Sequence, residues 1–154
     1  MKRTDNKSHC PINFTLEIFG DPWSLLIVRD IVYFGKKTYG EFLGGEESIA
    51  TSVLANRLVD LEKKGILVKK PHTTDKRKEV YELTEKGLDA IPIVLDMAAW
   101  GARYDPETNA PQDWIAAVNA HRGKIIALIR QTVKEGGSIF VGPNSVISKL
   151  AANL

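Results

Sequence analysis

The stretch SIATSVLANRLVDLEKKGILVKK, residues 48–70, has two unlike faces. Leu54, Leu58 and Leu61 fall at i, i+4 and i+7, the spacing of a buried helical stripe. At about 100° per residue, Ser52, Asn56, Val59 and Lys63 point away from it, with Thr51, Ala55 and Arg57 on the flanks. The helix begins between Ser48 and Thr51, and either residue could cap it. Gly65 suits its C-terminal end, where Lys63 and Lys64 complement the dipole. A helix that only closes a core needs no such outer face.

Working outward, TYGEFL (38–43) precedes this helix, and Thr38 followed by Glu41 has the spacing of a capping box. Tyr39, Phe42 and Leu43 supply anchors, and Gly44-Gly45 supplies a break. After Gly65 the period changes. ILVKKP (66–71) and EVYELT (79–84) read as strands joined by the charged tip HTTDKRK (72–78). Thr84 caps a further helix running to Tyr104, in which Pro92 forces a kink or a restart. Around and beyond Pro92, Ile91, Val94, Leu95 and Ala98 line one side.

Upstream, PINFTLEIFG (11–20) places Ile12, Leu16 and Phe19 on one face, with Pro11 at the first helical position and Cys10 at or beside the N-cap. Pro22 opens a second helix whose stripe is Trp23, Ile27, Ile31 and Phe34. Leu25, Leu26, Val28 and Val32 make it apolar nearly all round, as a central helix should be. Residues 105–112, within DPETNAPQD, read as a linker. One helix is expected from about Trp114 to Lys134, with Trp114, Val118, Ile125, Leu128 and Ile129 inward. The division is a tip at 1–10, a domain at 11–104, the linker, and a helical extension at 113–154 that enlarges a dimer interface or has another role.

Helix, helix, short helix, helix, hairpin, helix is the order of a winged helix-turn-helix, so the fold class is mainly α with a small β-hairpin. The major groove is about 12 Å wide and admits a helix only where its outer side chains allow close approach. Thr51, Ser52, Ala55 and Asn56 are small or hydrogen-bonding and are the candidates for base or groove contact. Thr38, Arg57, Lys63, Lys76, Arg77 and Lys78 are the candidates for phosphate contact, with an internal ion pair as the other role open to Arg57. A solvated helix face and a merely charged hairpin are the plainer reading. Order of elements, position of the break and basic hairpin together favour DNA.

The charge distribution agrees. Across 154 residues the formal net charge is only +2, yet Arg57 to Lys78 holds eight Lys or Arg against Asp60, Glu62 and Asp75. With one cysteine no intramolecular disulfide can form, which points to a reducing compartment. The N-terminus lacks the apolar core of a signal peptide, and no apolar run reaches the roughly 18 residues of a membrane span. No phosphate loop, catalytic triad or carboxylate dyad stands out, and His9, His72 and His121 lack metal-ligand spacing, so no catalytic residue, metal or cofactor is expected. Trp23, Trp100 and Trp114 read as packing groups, with a ligand pocket between dimer helices as the alternative. Cys10 reads most simply as a small buried thiol. The alternative is a redox sensor, because a helix N-terminus, Lys7 and His9 would all favour thiolate.

CPINFTLEIFGDPWSLLIVRDIVYFGKKTYGEFL, IATSVLANRLVDLEKKGILVKK and VYELTEKGLDAIPIVLDMAAWGARYDP also carry a resemblance. Cys10-Pro11, Trp23, Tyr39-Gly40-Glu41-Phe42, Leu54-Ala55-Asn56-Arg57-Leu58, Leu61-Glu62 with Gly65, Tyr81 to Gly87, and Trp100-Gly101 stand in the order seen in HxlR-type bacterial regulators. The chain resembles that family over about residues 8–106. The resemblance implies a cytoplasmic, homodimeric transcription regulator that reads a pseudo-palindromic operator in double-stranded DNA with the helix at about 50–64. It also implies that the first and last family helices pair across the dimer. Some members sense oxidants or electrophiles through a cysteine at the place of Cys10. The tip Asp75-Lys76-Arg77-Lys78 departs from the proline-rich turn of many members, and the chain runs nearly fifty residues past the usual family end. A protein-interaction module and a regulator responsive to an unidentified small molecule remain the competing readings.

Overall fold

The computed structural model describes residues 7–153. In chain order these form α1 (Pro11–Phe19), α2 (Ser24–Phe34), α3 (Tyr39–Leu43), α4 (Thr51–Lys63), β1 (Leu67–Pro71), β2 (Glu79–Leu83), α5 (Glu85–Leu88), α6 (Ile91–Tyr104), α7 (Gln112–Ala120), α8 (Arg122–Lys134) and α9 (Val146–Ala152). The expected winged helix-turn-helix order is present from α1 to α6.

Helix α2 is the hub. Ile27, Val28, Ile31 and Val32 are buried in the core, whereas Phe34 of the expected stripe is 41% exposed. Its start lies two residues after Pro22, because the Asp21 carboxylate accepts the N–H groups of both Trp23 and Ser24 at 2.8 Å. Its C-terminal carbonyls are met from far along the chain. Ile139 N–H donates to the Val32 carbonyl at 2.9 Å and Phe140 N–H to that of Tyr33 at 3.0 Å. Groups that every helix leaves unpaired are thus satisfied by the segment after α8.

The capping box of α3 is formed: Thr38 Oγ1 accepts from Glu41 N–H, and Glu41 Oε1 accepts from Thr38 N–H, both at 3.2 Å. Helix α4 corrects one expectation. Neither Ser48 nor Thr51 caps it; Ala50 is the N-cap without a side-chain bond, and Ser48 sits instead at φ 58° in the turn. The C-terminal end is as read. Gly65, at φ 74°, lets its own N–H reach Glu62 and that of Ile66 reach Leu61, closing a Schellman motif.

The hairpin runs from Leu67 opposite Leu83 to Pro71 opposite Glu79. It is moored by Tyr81 N–H on the Lys37 carbonyl at 2.8 Å. Thr84 Oγ1 then accepts from Gly87 N–H at 3.0 Å and starts α5. Gly87 is packed so closely there that a Cβ would lie 2.3 Å from the Ile66 carbonyl oxygen. Pro92 produces a restart: α5 ends, the chain turns at Asp89–Ala90, and α6 begins with proline in its first turn.

The extension differs from the single helix expected at 114–134. His121, at φ −133° and ψ 40°, separates α7 from α8. The break is hidden in the sequence because Trp114 and Val118 before it, and Ile125 and Ile129 after it, keep one helical spacing and are all buried. Helix α9 was not anticipated; it is short, capped by Ser145, and buries only Val146. Trp114, Val118, Ile125, Ile129, Ile139 and Val146 join Val28, Leu54 and Leu95 in one hydrophobic cluster. Arg122 pairs with Asp96 on α6, and Arg130 with Glu85 and Asp89 at the α5 end.

Two surfaces stay apolar. On α1, Ile12 is 70% and Leu16 57% exposed, so of the expected face only Phe19 enters the core. On α6, Met97, Trp100 and Tyr104 are exposed, Trp100 by 70%, its ring tilted against that of Tyr104 with centroids 5.0 Å apart.

Candidate nucleic-acid interface

Helix α4 buries Leu54, Leu58 and Leu61 at 0–2% exposure and turns the opposite side outward. Thr51, Ser52, Ala55 and Asn56 are all exposed, and so are Val59 and Lys63. Among the described residues, the side chains of Thr51, Ser52 and Asn56 have no hydrogen-bond partner. The first intrahelical bond belongs to Leu54 N–H, which reaches Ala50. Because Ala50 offers no capping oxygen, the N–H groups of the first turn receive no cap from it.

Two contacts fix the presentation of this edge. The Tyr39 hydroxyl donates to the Thr51 carbonyl at 3.1 Å and joins α3 to the first turn of α4. Arg29 on α2 reaches the turn between α3 and α4, donating to the two Glu47 oxygens at 2.7 and 2.8 Å. It also donates to the buried Asp30 from Nε at 3.0 Å and from Nη2 at 2.8 Å, while Lys36 approaches the other Asp30 oxygen at 3.4 Å. The hydrogen bonds from Arg29 hold Glu47 down at about 2, and the same bonds raise the guanidinium. Sequence reading missed the clamp. Its signal was Arg29-Asp30 inside an otherwise apolar helix.

The proposed phosphate contacts divide. Lys63, Lys76 and Lys78 are exposed and lie beyond 4.0 Å of any carboxylate among the described residues. Arg77 turns back on Asp75 at 3.2 Å, although its side chain remains 91% exposed. Of the two roles open to Arg57, the internal one is present: its guanidinium lies 3.5 Å from Asp21 and 3.7 Å from Asp60. Thr38 has its hydroxyl engaged within the capping box, accepting from Glu41 N–H and donating to Glu41 Oε1 at 3.0 Å.

Cys10 overturns the simpler expectation of a buried thiol. It is the N-cap residue of α1 and is exposed, because the flank of α1 that would cover it faces outward as well. Lys7 lies 3.9 Å from Glu17. Trp114 is buried while Trp100 is open to solvent, so the tryptophans do not share one environment.

A short capped helix, a clamped turn, an amphipathic helix with an open polar edge and a basic hairpin together define a winged helix-turn-helix protein. Comparison with known proteins gives the finer class: residues 18–109 match the model of the HxlR-like helix-turn-helix family, and the chain belongs to that family. YybR of Bacillus subtilis, an uncharacterized HTH-type transcriptional regulator, is 36% identical over 96 residues, 62% of this chain and 76% of its own. The chain spans only 60% of the length of several mycobacterial relatives that carry the same description. Among solved structures, PA1607 superposes with a TM-score of 0.62 at 32% identity, over 69% of this chain and 74% of its own. The redox regulator HypR, in its oxidized form, superposes with a TM-score of 0.55 at 32% identity, over 62% of this chain and 98% of its own. The chain is thus a transcriptional regulator with a helix-turn-helix domain. Among the described residues no helix is long and apolar enough to cross a membrane.

Proposed function

We propose that this protein is a homodimer that binds a pseudo-palindromic operator in double-stranded DNA, with α4 in the major groove and the hairpin along the neighbouring backbone. One observation carries the reading: the Thr51–Asn56 edge of α4 is open, small and hydrogen-bonding, while its leucines are buried. Asn56 is the group suited to bidentate adenine contact, and Thr51 and Ser52 suit base edges or phosphates. First-turn N–H groups of α4 add positive potential where a phosphate would pass. Lys63, Lys76 and Lys78 supply the charge that makes binding depend on salt. Arg57 acts on α4 through Asp21 and Asp60 in this reading, and Thr38 through its cap.

Exposed Ile12 and Leu16 on α1, with Met97, Trp100 and Tyr104 on α6, support pairing of these helices between two chains, because large exposed apolar patches mark interfaces. A C2 dimer would set two α4 helices against half-sites about one helical turn apart.

Selection of bound duplex from a random pool tests the reading. A shared two-fold motif is the expected result; recovery of unenriched sequence would overturn it. Running the selection with and without diamide tests a second reading, in which the exposed Cys10 is a redox switch. Its support is the likeness to HypR, a redox regulator. Loss of diamide sensitivity in Cys10→Ser is expected, and unchanged sensitivity would exclude it.

A further inference from the structure

A pocket of about 560 Å³ lies where residues 34–37 of the winged domain meet the loop 135–144 and Lys149 of the extension. Lys37 spans this junction: a Cβ on Gly136 would stand 3.1 Å from its ammonium nitrogen, an approach that glycine leaves open. The Lys37 side chain is half-buried, and among the described residues its ammonium has no hydrogen bond and no carboxylate within 4.0 Å. Lys149, on α9, donates to the Thr132 hydroxyl at 2.9 Å and stands 3.7 Å from Glu135. Among the described residues Glu135 is the only carboxylate in the lining, and its other oxygen accepts from Gln131 at 2.6 Å. The N–H groups of Gly142 and Asn144, both exposed residues of the lining, make no hydrogen bond among the described residues. Phe34 and Val141, 41% and 52% exposed, give the pocket an apolar edge.

We infer that this pocket binds a phosphate ester of a small molecule, its phosphate group held by Lys37 and Lys149 and its body resting on Phe34 and Val141. Two ammonium groups against one shared carboxylate leave the lining net positive, and open backbone N–H groups beside them are further anion donors. These donors come from three separate segments, so a tetrahedral group with several acceptor oxygens meets more of them than a planar carboxylate does. A phosphate group fills only part of the volume, and the apolar edge suits an organic remainder. Lys37 also carries the consequence. Its carbonyl moors β2 of the wing at 2.8 Å and the next residue, Thr38, caps α3, so a ligand on its ammonium bears on the root of the reading unit. That consequence rests on the proposed function; the binding itself does not.

The test uses the full chain without DNA, at an ionic strength held constant with chloride. The probes are inorganic phosphate and phenyl phosphate, followed by thermal melt and phosphorus NMR. Saturable stabilisation by phosphate is expected, with phenyl phosphate about threefold tighter and acetate about tenfold weaker. Lys37→Gln should weaken phosphate binding about tenfold yet leave the melting temperature of the free chain unchanged, since its ammonium has no partner to lose. Lys149→Gln, checked by melt because it also releases Thr132, should weaken binding as well, and Lys124→Gln, outside the lining, should not. Stabilisation no greater than that by chloride would overturn the inference, and so would phosphate affinity unchanged in Lys37→Gln. Acetate as tight as phosphate, or phenyl phosphate no tighter, would count against the ester. If free phosphate has no effect while Lys37→Gln lowers the salt slope of duplex binding, the pocket belongs to the DNA backbone and the inference fails. Failure to bind DNA would leave the phosphate readouts intact and count only against the proposed function.

Discussion

Arg29 and Glu47, eighteen residues apart, meet through two nearly parallel hydrogen bonds of 2.7 and 2.8 Å. The same guanidinium covers the buried Asp30. This one residue ties the turn before α4 to the central helix and neutralises a carboxylate in the core. The hold on the turn before α4 is electrostatic and bidentate.

The clamp predicts an acid-side loss of stability. Glu47 is held at about 2 in the folded chain against an ordinary value near 4.5. Its contribution is complete above about 4.5 and drains away as the pH falls toward 2, because the unfolded chain takes up the proton first. Glu47→Gln should remove that pH dependence and cost about 1 kcal/mol at neutral pH, a modest figure because the carboxylate is 40% exposed. Thermal melts from pH 2 to 7 check both. Arg29→Met should cost more, about 2–4 kcal/mol, since it leaves Asp30 with Lys36 alone.

Asn56→Ala should leave the melting temperature nearly unchanged, because the side chain is exposed and unpartnered among the described residues. On a selected operator it should lower affinity by about 1–3 kcal/mol while sparing random duplex, so that specificity falls. Fluorescence anisotropy on both duplexes measures the difference. Equal losses on the two would remove Asn56 from base reading.

The wing lysines should behave in the opposite way. Replacing Lys76 and Lys78 by Gln should weaken binding to all duplexes alike and reduce the slope of log K against log salt by about 2. Arg57→Gln, by contrast, should lower stability through Asp21 and Asp60 more than it alters the salt slope.

Charges on the open apolar faces should separate the chains. Leu16→Glu with Trp100→Glu, like charges on the two faces, removes no core contact, since both residues are more than half exposed. Sedimentation should show a folded monomer in place of a dimer, with operator affinity reduced by at least tenfold because half-sites then bind singly.

Much of the reading unit was legible from residue spacing alone. The Leu54–Leu58–Leu61 stripe, the Thr38–Glu41 box, the Gly65 end, the hairpin at 66–84 and the restart at Pro92 are consequences of local geometry. Each is set by residues within a few positions of one another, through helical period, capping or proline sterics. The cap of α4 was misread because Ser48 and Thr51 both have capping oxygens. The choice fell to Ala50 once Arg29 and Tyr39 had fixed the turn from outside.

The extension marks the other limit. Its break at His121 leaves the apolar spacing undisturbed, and the Ile139 and Phe140 bonds to α2 span more than a hundred residues. From sequence, Arg57 could serve a phosphate or a neighbour, and Cys10 could be covered or open. Periodicity and capping are local, so the chain alone determined which faces are apolar, where α3 and α5 begin and where α4 ends. Which polar groups meet across the core and which apolar faces stay bare depend on atoms distant in sequence; only the tertiary structure decided those.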